Sequence, residues 1–203
     1  MRIFISGGCK NGKSYYAQRL AKAQGAPLYY IATMTPADDE DGERIARHRR
    51  DRAGWGFTTV EQPADIENIL RVCDTGGSFL LDSVTALLAN EMFGGGGGCD
   101  DGGGCGGGCG ACCGGGRAKE AALKTKEGLL RTIGQISDIV TVSDYIYSDA
   151  LFYDPLSESY RKALAEIDCA AAAASDVVVE IAYTNVIVHK GGELFGTLYE
   201  KVF

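Results

Sequence analysis

"RIFISGGCKNGKSYYAQRL", residues 2–20, decides how the rest of the chain is read. Arg2 to Ser6 is a short β-branched and aromatic run that stops at Gly7–Gly8, the pattern of a buried strand entering a tight turn. From Lys13 the spacing becomes helical. Between the two, Gly7 to Ser14 fits G-x-x-x-x-G-K-[ST]. Glycines let successive backbone N–H groups curl toward phosphate oxygens, and the helix that follows brings its positive end to the same point. Its place between a strand and a helix gives the motif its meaning. It assigns Gly7, Gly8, Cys9, Lys10, Asn11, Gly12, Lys13 and Ser14 to a nucleotide's phosphates. Lys13 is the catalytic point charge for the β- and γ-phosphates, and Ser14 supplies a hydroxyl to Mg²⁺.

Outward from that turn, strand and helix alternate. LYYIAT (28–33), a short strand near FTTV (57–60), SFLLD (78–82), DIVTVS (138–143), SDVVVEIA (175–182) and NVIVH (185–189) read as strands. Residues 37–52, 64–72, 83–93, about 117–136 and 156–174 read as helical. The order predicts one α/β domain over 1–203: a P-loop NTPase-like (RecA-like) three-layer sandwich with a mostly parallel sheet. The last two strands, around a Tyr183–Thr184 turn, predict an antiparallel edge hairpin. Asp82 ends the apolar run FLL at the carboxyl end of a central strand, where the second metal-side acid is expected. A strand-terminal Asp is otherwise often a helix N-cap, a role that Ser83 fills equally well.

The net charge of −7 argues against a broad basic surface for nucleic acid. No apolar run is long enough to span a bilayer, and MRIFISGG is too short for a secretory signal. The expectation is a cytoplasmic chain with reduced cysteines and no stable membrane insertion. Of 29 glycines, 15 fall within residues 94–116, as do five of the eight cysteines. Such composition buries little, so a flexible insertion is expected. Cys99, Cys105, Cys109, Cys112 and Cys113 could bind a soft metal, but their spacing is not that of two C-x2-C knuckles.

ERIARHRRDRAGW (43–55) places His48 among five arginines. By itself, a helix face of this kind is ordinarily solvated and ion-paired. The series in which it sits is more specific: GGCKNGKS, YIAT (30–33), DDE (38–40), RIARH (44–48), Arg52, Trp55, TVE (59–61) and LLDSVTALLAN (80–90). With these motifs the chain resembles the adenosylcobinamide kinase/adenosylcobinamide-phosphate guanylyltransferase family, from Met1 to about Phe93 and more weakly beyond Asp138. The resemblance implies a P-loop α/β fold in a ring-like trimer. It further implies ATP or GTP as substrate, with Mg²⁺ and a corrinoid acceptor, and His48 as the catalytic nucleophile that takes GMP from GTP. It also implies nucleotide contacts by Ala32, Thr33, Met34, Arg49, Arg50, Asp51, Arg52, Glu61 and Asp82. The chain departs from the family pattern at Asn11 and Asp41, at SDYIY (143–147) where the family has S-N-E-V-G, and at Asp168 in place of an asparagine. His189 is expected to be structural. Two other readings stay open: a P-loop small-molecule kinase with another acceptor and no guanylyl transfer, and a non-catalytic nucleotide-binding protein.

Overall fold

The structure, a computed structural model, describes residues 1–36, 42, 46, 49–50, 52–94, 114–147 and 149–202. Strand β1 (Arg2–Gly7) leads through the glycine turn into helix α1 (Lys13–Gln24). Strands β2 (Leu28–Ala32), β3 (Phe57–Glu61) and β4 (Ser78–Asp82) follow, then β5 (Asp138–Val142), β6 (Val177–Ala182) and β7 (Asn185–Lys190). They form one seven-stranded sheet in the order β3-β2-β4-β5-β1-β6-β7. Every pairing is parallel except β6 with β7. The predicted α/β sandwich with its antiparallel edge is what the chain adopts. No described helix is long and apolar enough to cross a membrane.

Both sheet faces are covered, and side-chain alternation sorts the strands between two cores. Phe4, Ile31, Phe79, Leu81 and Ile139 point to one face. There they meet α3 (Val84–Phe93), α4 (Gly114–Gln135) and α5 (Pro155–Ala174), which contribute Leu87, Leu129, Ile133, Leu164 and Ile167. Ile3, Ile5, Tyr30, Leu80, Val140 and Val179 point the other way, to Leu20 of α1 and to Phe195 and Leu198 of α6 (Gly192–Tyr199). Strands buried on both faces explain why SFLLD reads as a continuous apolar run.

Three local outcomes differ from expectation. The segment 64–72 is a 3-10 turn (Ile66–Asn68) running into a single helical turn, α2 (Ile69–Val72). Asp65 takes a left-handed φ of 50° just after Pro63, so no helix can extend through it. Helix α4 begins at Gly114, inside the glycine-rich stretch. Residues 95–113, with Cys99, Cys105, Cys109, Cys112 and Cys113, lie outside the described residues. Helix α6 had no sequence signal strong enough to stand out in eight residues. The Tyr183–Thr184 turn holds, with both residues at positive φ (50° and 64°), the backbone of a two-residue hairpin turn.

Helix α5 starts on Asp154, whose carboxylate accepts from the N–H groups of Leu156 (3.0 Å) and Ser157 (3.1 Å), with Pro155 at the first helical position. The Ser157 hydroxyl bond, followed by these backbone N–H groups, holds the Asp154 carboxyl below its usual value. A depressed folded-state value stabilises above the unfolded value and is lost as pH falls through the folded one. Asp154→Ala should therefore melt below wild type at neutral pH, and the gap should close as pH falls through the folded-state value of the carboxyl, as read by thermal denaturation.

Candidate functional site

The parallel strands end along one edge of the sheet, where ligands of open α/β sheets bind. Gly7, Ala32, Glu61 and Asp82 are the last residues of β1 to β4, and Ser143–Asp144 follow β5. The register sets Ala32 opposite both Glu61 and Asp82.

At this edge the loop of residues 7–14 turns through left-handed Lys10 (φ 57°) and Gly12 (φ 92°). Gly7 has to be glycine, because a Cβ there would run into the carbonyl oxygen of Ile181. Asn11 Nδ2 donates to that same carbonyl and ties the loop to β6. Cys9 is exposed. Gly12 caps α1 with no side-chain bond, leaving the first turn's N–H groups clear of a capping side chain.

Lys13 is only 6% exposed. Its ammonium reaches Gly7 O (2.9 Å), Gly8 O (2.6 Å) and Asp144 Oδ1 (2.8 Å), with Asn11 Oδ1 farther off at 3.5 Å, so its N–H donors are all engaged. Asp144 is itself fixed: its N–H donates to Thr85 Oγ1 (2.8 Å), and the next N–H, of Tyr145, donates to Gly7 O (2.9 Å). Sequence reading singled out SDYIY as a departure but carried no sign that its aspartate meets the loop lysine. Only the adjacency of β5 and β1 brings them together.

Ser14 Oγ lies 3.5 Å from Asp82 Oδ2, and the Tyr30 hydroxyl donates to the same oxygen at 2.9 Å. Burial, then the Asp82 charge, holds the Tyr30 phenol well above its ordinary value, so it stays a donor. A hydroxyl and a carboxylate converging beside a phosphate loop are the hard oxygen donors that suit Mg²⁺, an ion that also draws ligands from substrate phosphates and water. The residues fit that ion. No cluster of three or more His, Cys, Asp or Glu forms an all-protein metal site among the described residues. Ser83 takes the cap of α3, accepting from Ala86 N at 3.3 Å, which leaves Asp82 to the site. Thr33 is fully buried; its hydroxyl donates to Ser83 O (2.8 Å) and accepts from Ser83 N (2.7 Å).

The arginine segment approaches the same edge. Arg49 pairs with Glu61, both exposed, and Arg50 is exposed. Arg52 is 7% exposed, with its guanidinium carbon 3.3 Å from the Tyr30 ring centre. Its Nη1 has no hydrogen-bond partner among the described residues. Trp55 sits under Lys22 Nζ (4.8 Å) and Arg19 (5.4 Å), holding this turn against α1. Arg49, Arg52, Ala53, Gly54, Gly56, Phe57 and Thr59 line a cavity of about 470 Å³. His48 and Asp51, with Arg44 and Arg47, lie outside the described residues.

Behind Asp144 is a buried polar group. Asp168 Oδ2 accepts from Ser143 Oγ (3.0 Å) and Tyr147 OH (3.2 Å), while Oδ1 has no partner among the described residues. Desolvation pushes the Asp168 carboxyl up to about 7. His189, far from this edge, bonds Glu180 across the β6–β7 hairpin at 3.0 Å, in line with a structural role.

Fold and cradle together define a class: a P-loop NTPase-like α/β protein. Within that class, a family model described as cobinamide kinase / cobinamide phosphate guanyltransferase matches residues 3–185, and the chain belongs to this family. The bifunctional adenosylcobalamin biosynthesis protein CobP of Pseudomonas aeruginosa is 42% identical over 92 residues, 44% of this chain and 52% of that protein. CobU of Escherichia coli, with the same description, is 33% identical over 94 residues, 46% of this chain and 51% of that protein. CobU of Salmonella typhimurium is 31% identical over 95 residues, again 46% and 51%. The chain thus spans about half the length of the curated relatives it matches.

Proposed function

We propose that the chain phosphorylates adenosylcobinamide with ATP or GTP and then transfers GMP from GTP, through a covalent His48–GMP intermediate, to give adenosylcobinamide-GDP. The observation that carries this reading is the convergence of Lys13, Ser14 and Asp82 at the strand ends of a chain in this family. In the first step the acceptor hydroxyl oxygen bonds to the γ-phosphorus as its bond to the β–γ bridging oxygen breaks, releasing the nucleoside diphosphate and a proton. Lys13 orients the β- and γ-phosphates, and Ser14 and Asp82 would hold Mg²⁺, which supplies charge neutralisation at those oxygens. In the second step a neutral imidazole nitrogen of His48 bonds to the α-phosphorus and pyrophosphate leaves. The acceptor's phosphate oxygen then attacks the same phosphorus and frees the imidazole. Arg49, Arg50 and Arg52 would supply the charge that balances the non-bridging oxygens. A trimeric assembly and a cytoplasmic setting belong to the same reading.

Incubation with GTP labelled at the α-phosphate should give an acid-labile protein adduct that is absent in His48→Ala. Nucleotide binding without an adduct would remove the guanylyl half. The carboxylate of Asp144 at the loop lysine favours a second reading, phosphoryl transfer to a different acceptor. In that case γ-phosphate transfer survives His48→Ala.

A further inference from the structure

One buried phenol touches both halves of the site. The hydroxyl of Tyr30 donates to Asp82 Oδ2 at 2.9 Å, the oxygen that also faces Ser14 Oγ at 3.5 Å. The ring of the same residue lies against the Arg52 guanidinium, 3.3 Å from centroid to carbon. Tyr30 is 6% exposed in the middle of β2, paired with Leu80 on β4 and Thr59 on β3, so neither end of it can move without the sheet. Arg52 is equally buried, and its Nη1, a donor with no acceptor among the described residues, is what is expected of a guanidinium placed for an anion.

We infer that Tyr30 is a positioning residue that serves both transfer steps: its hydroxyl orients Asp82 for the metal bound at Ser14, and its ring holds Arg52 for a nucleotide's α-phosphate. The inference rests on the function proposed above. Tyr30 touches no reacting atom; it acts through Asp82 and Arg52. The hydroxyl meets Asp82 and also Arg52, whereas the stacking contact with Arg52 belongs to the ring, so two substitutions grade the contacts. Tyr30→Phe removes the hydroxyl and keeps the ring under Arg52. Tyr30→Leu removes both and leaves an apolar residue in an apolar core.

The test uses binding of fluorescent guanine nucleotides to the whole chain, with thermal melts to confirm that each variant is folded. For GTP with varied Mg²⁺, Tyr30→Phe should raise the Mg²⁺ concentration for half-maximal binding about tenfold, the usual effect of losing a group that orients a metal ligand. For GMP without Mg²⁺, Tyr30→Phe should keep most of the wild-type affinity, whereas Tyr30→Leu should bind about tenfold more weakly. An unmoved Mg²⁺ curve in Tyr30→Phe overturns the role of the hydroxyl, and equal GMP affinity in all three proteins overturns the role of the ring. Wild-type protein that binds neither nucleotide would overturn the proposed function itself, a result distinct from either.

Discussion

Lys13→Ala should lower nucleotide-dependent transfer by about 10²- to 10³-fold, the usual consequence of losing a preorganised charge at the reacting phosphates. The expectation rests on where the ammonium is held. It is nearly excluded from water, fixed by two loop carbonyls and by Asp144, and lies beside the N-terminal turn of α1. In low dielectric a single charge acts strongly on phosphate oxygens. Lys13→Arg should not restore activity, because a planar guanidinium cannot occupy a pocket shaped around acceptors that converge on a single ammonium. Single-turnover transfer of γ-labelled phosphate measures the effect, with circular dichroism to establish that the sheet is intact. Transfer within threefold of wild type in Lys13→Ala would remove the lysine from the chemistry.

The second large effect concerns stability and Asp168. Burial raises its carboxyl to about 7 in the folded chain, against an ordinary value of 3.8. Below pH 3.8 both states are protonated, and the group contributes no pH dependence. Between those values the unfolded chain ionises first, so stability falls as pH rises. Above about 7 both states are ionised and the loss is complete. At 1.36 kcal/mol per unit, the span corresponds to roughly 4 kcal/mol at its limit. Asp168→Asn removes this charge, so its stability relative to wild type should climb from pH 4 to pH 7 and then level off. Urea unfolding at several pH values reads this difference directly, since the other titrating groups cancel between the two proteins. A flat difference would mean that Asp168 is not held in its neutral form.

Much of this molecule was legible in advance. Strand positions followed from β-branched runs bounded by turn residues, and the cradle from glycine and lysine spacing, both of which are local properties of the backbone. The 64–72 segment failed as a full helix because one left-handed residue at Asp65 overrode helical periodicity. Helix α6 went unseen because eight residues carry too little periodic signal.

What the sequence alone determined is the phosphate loop, the order of the strands, the Asp82 strand end and, with the matching family model, the kinship of the chain. Tertiary structure decided the partners. Asp144 on Lys13, Tyr30 between Asp82 and Arg52, and Asp168 beneath Ser143 join residues far apart in sequence. Those contacts depend on which strands lie side by side and in what register, a long-range choice made by packing two cores onto one sheet.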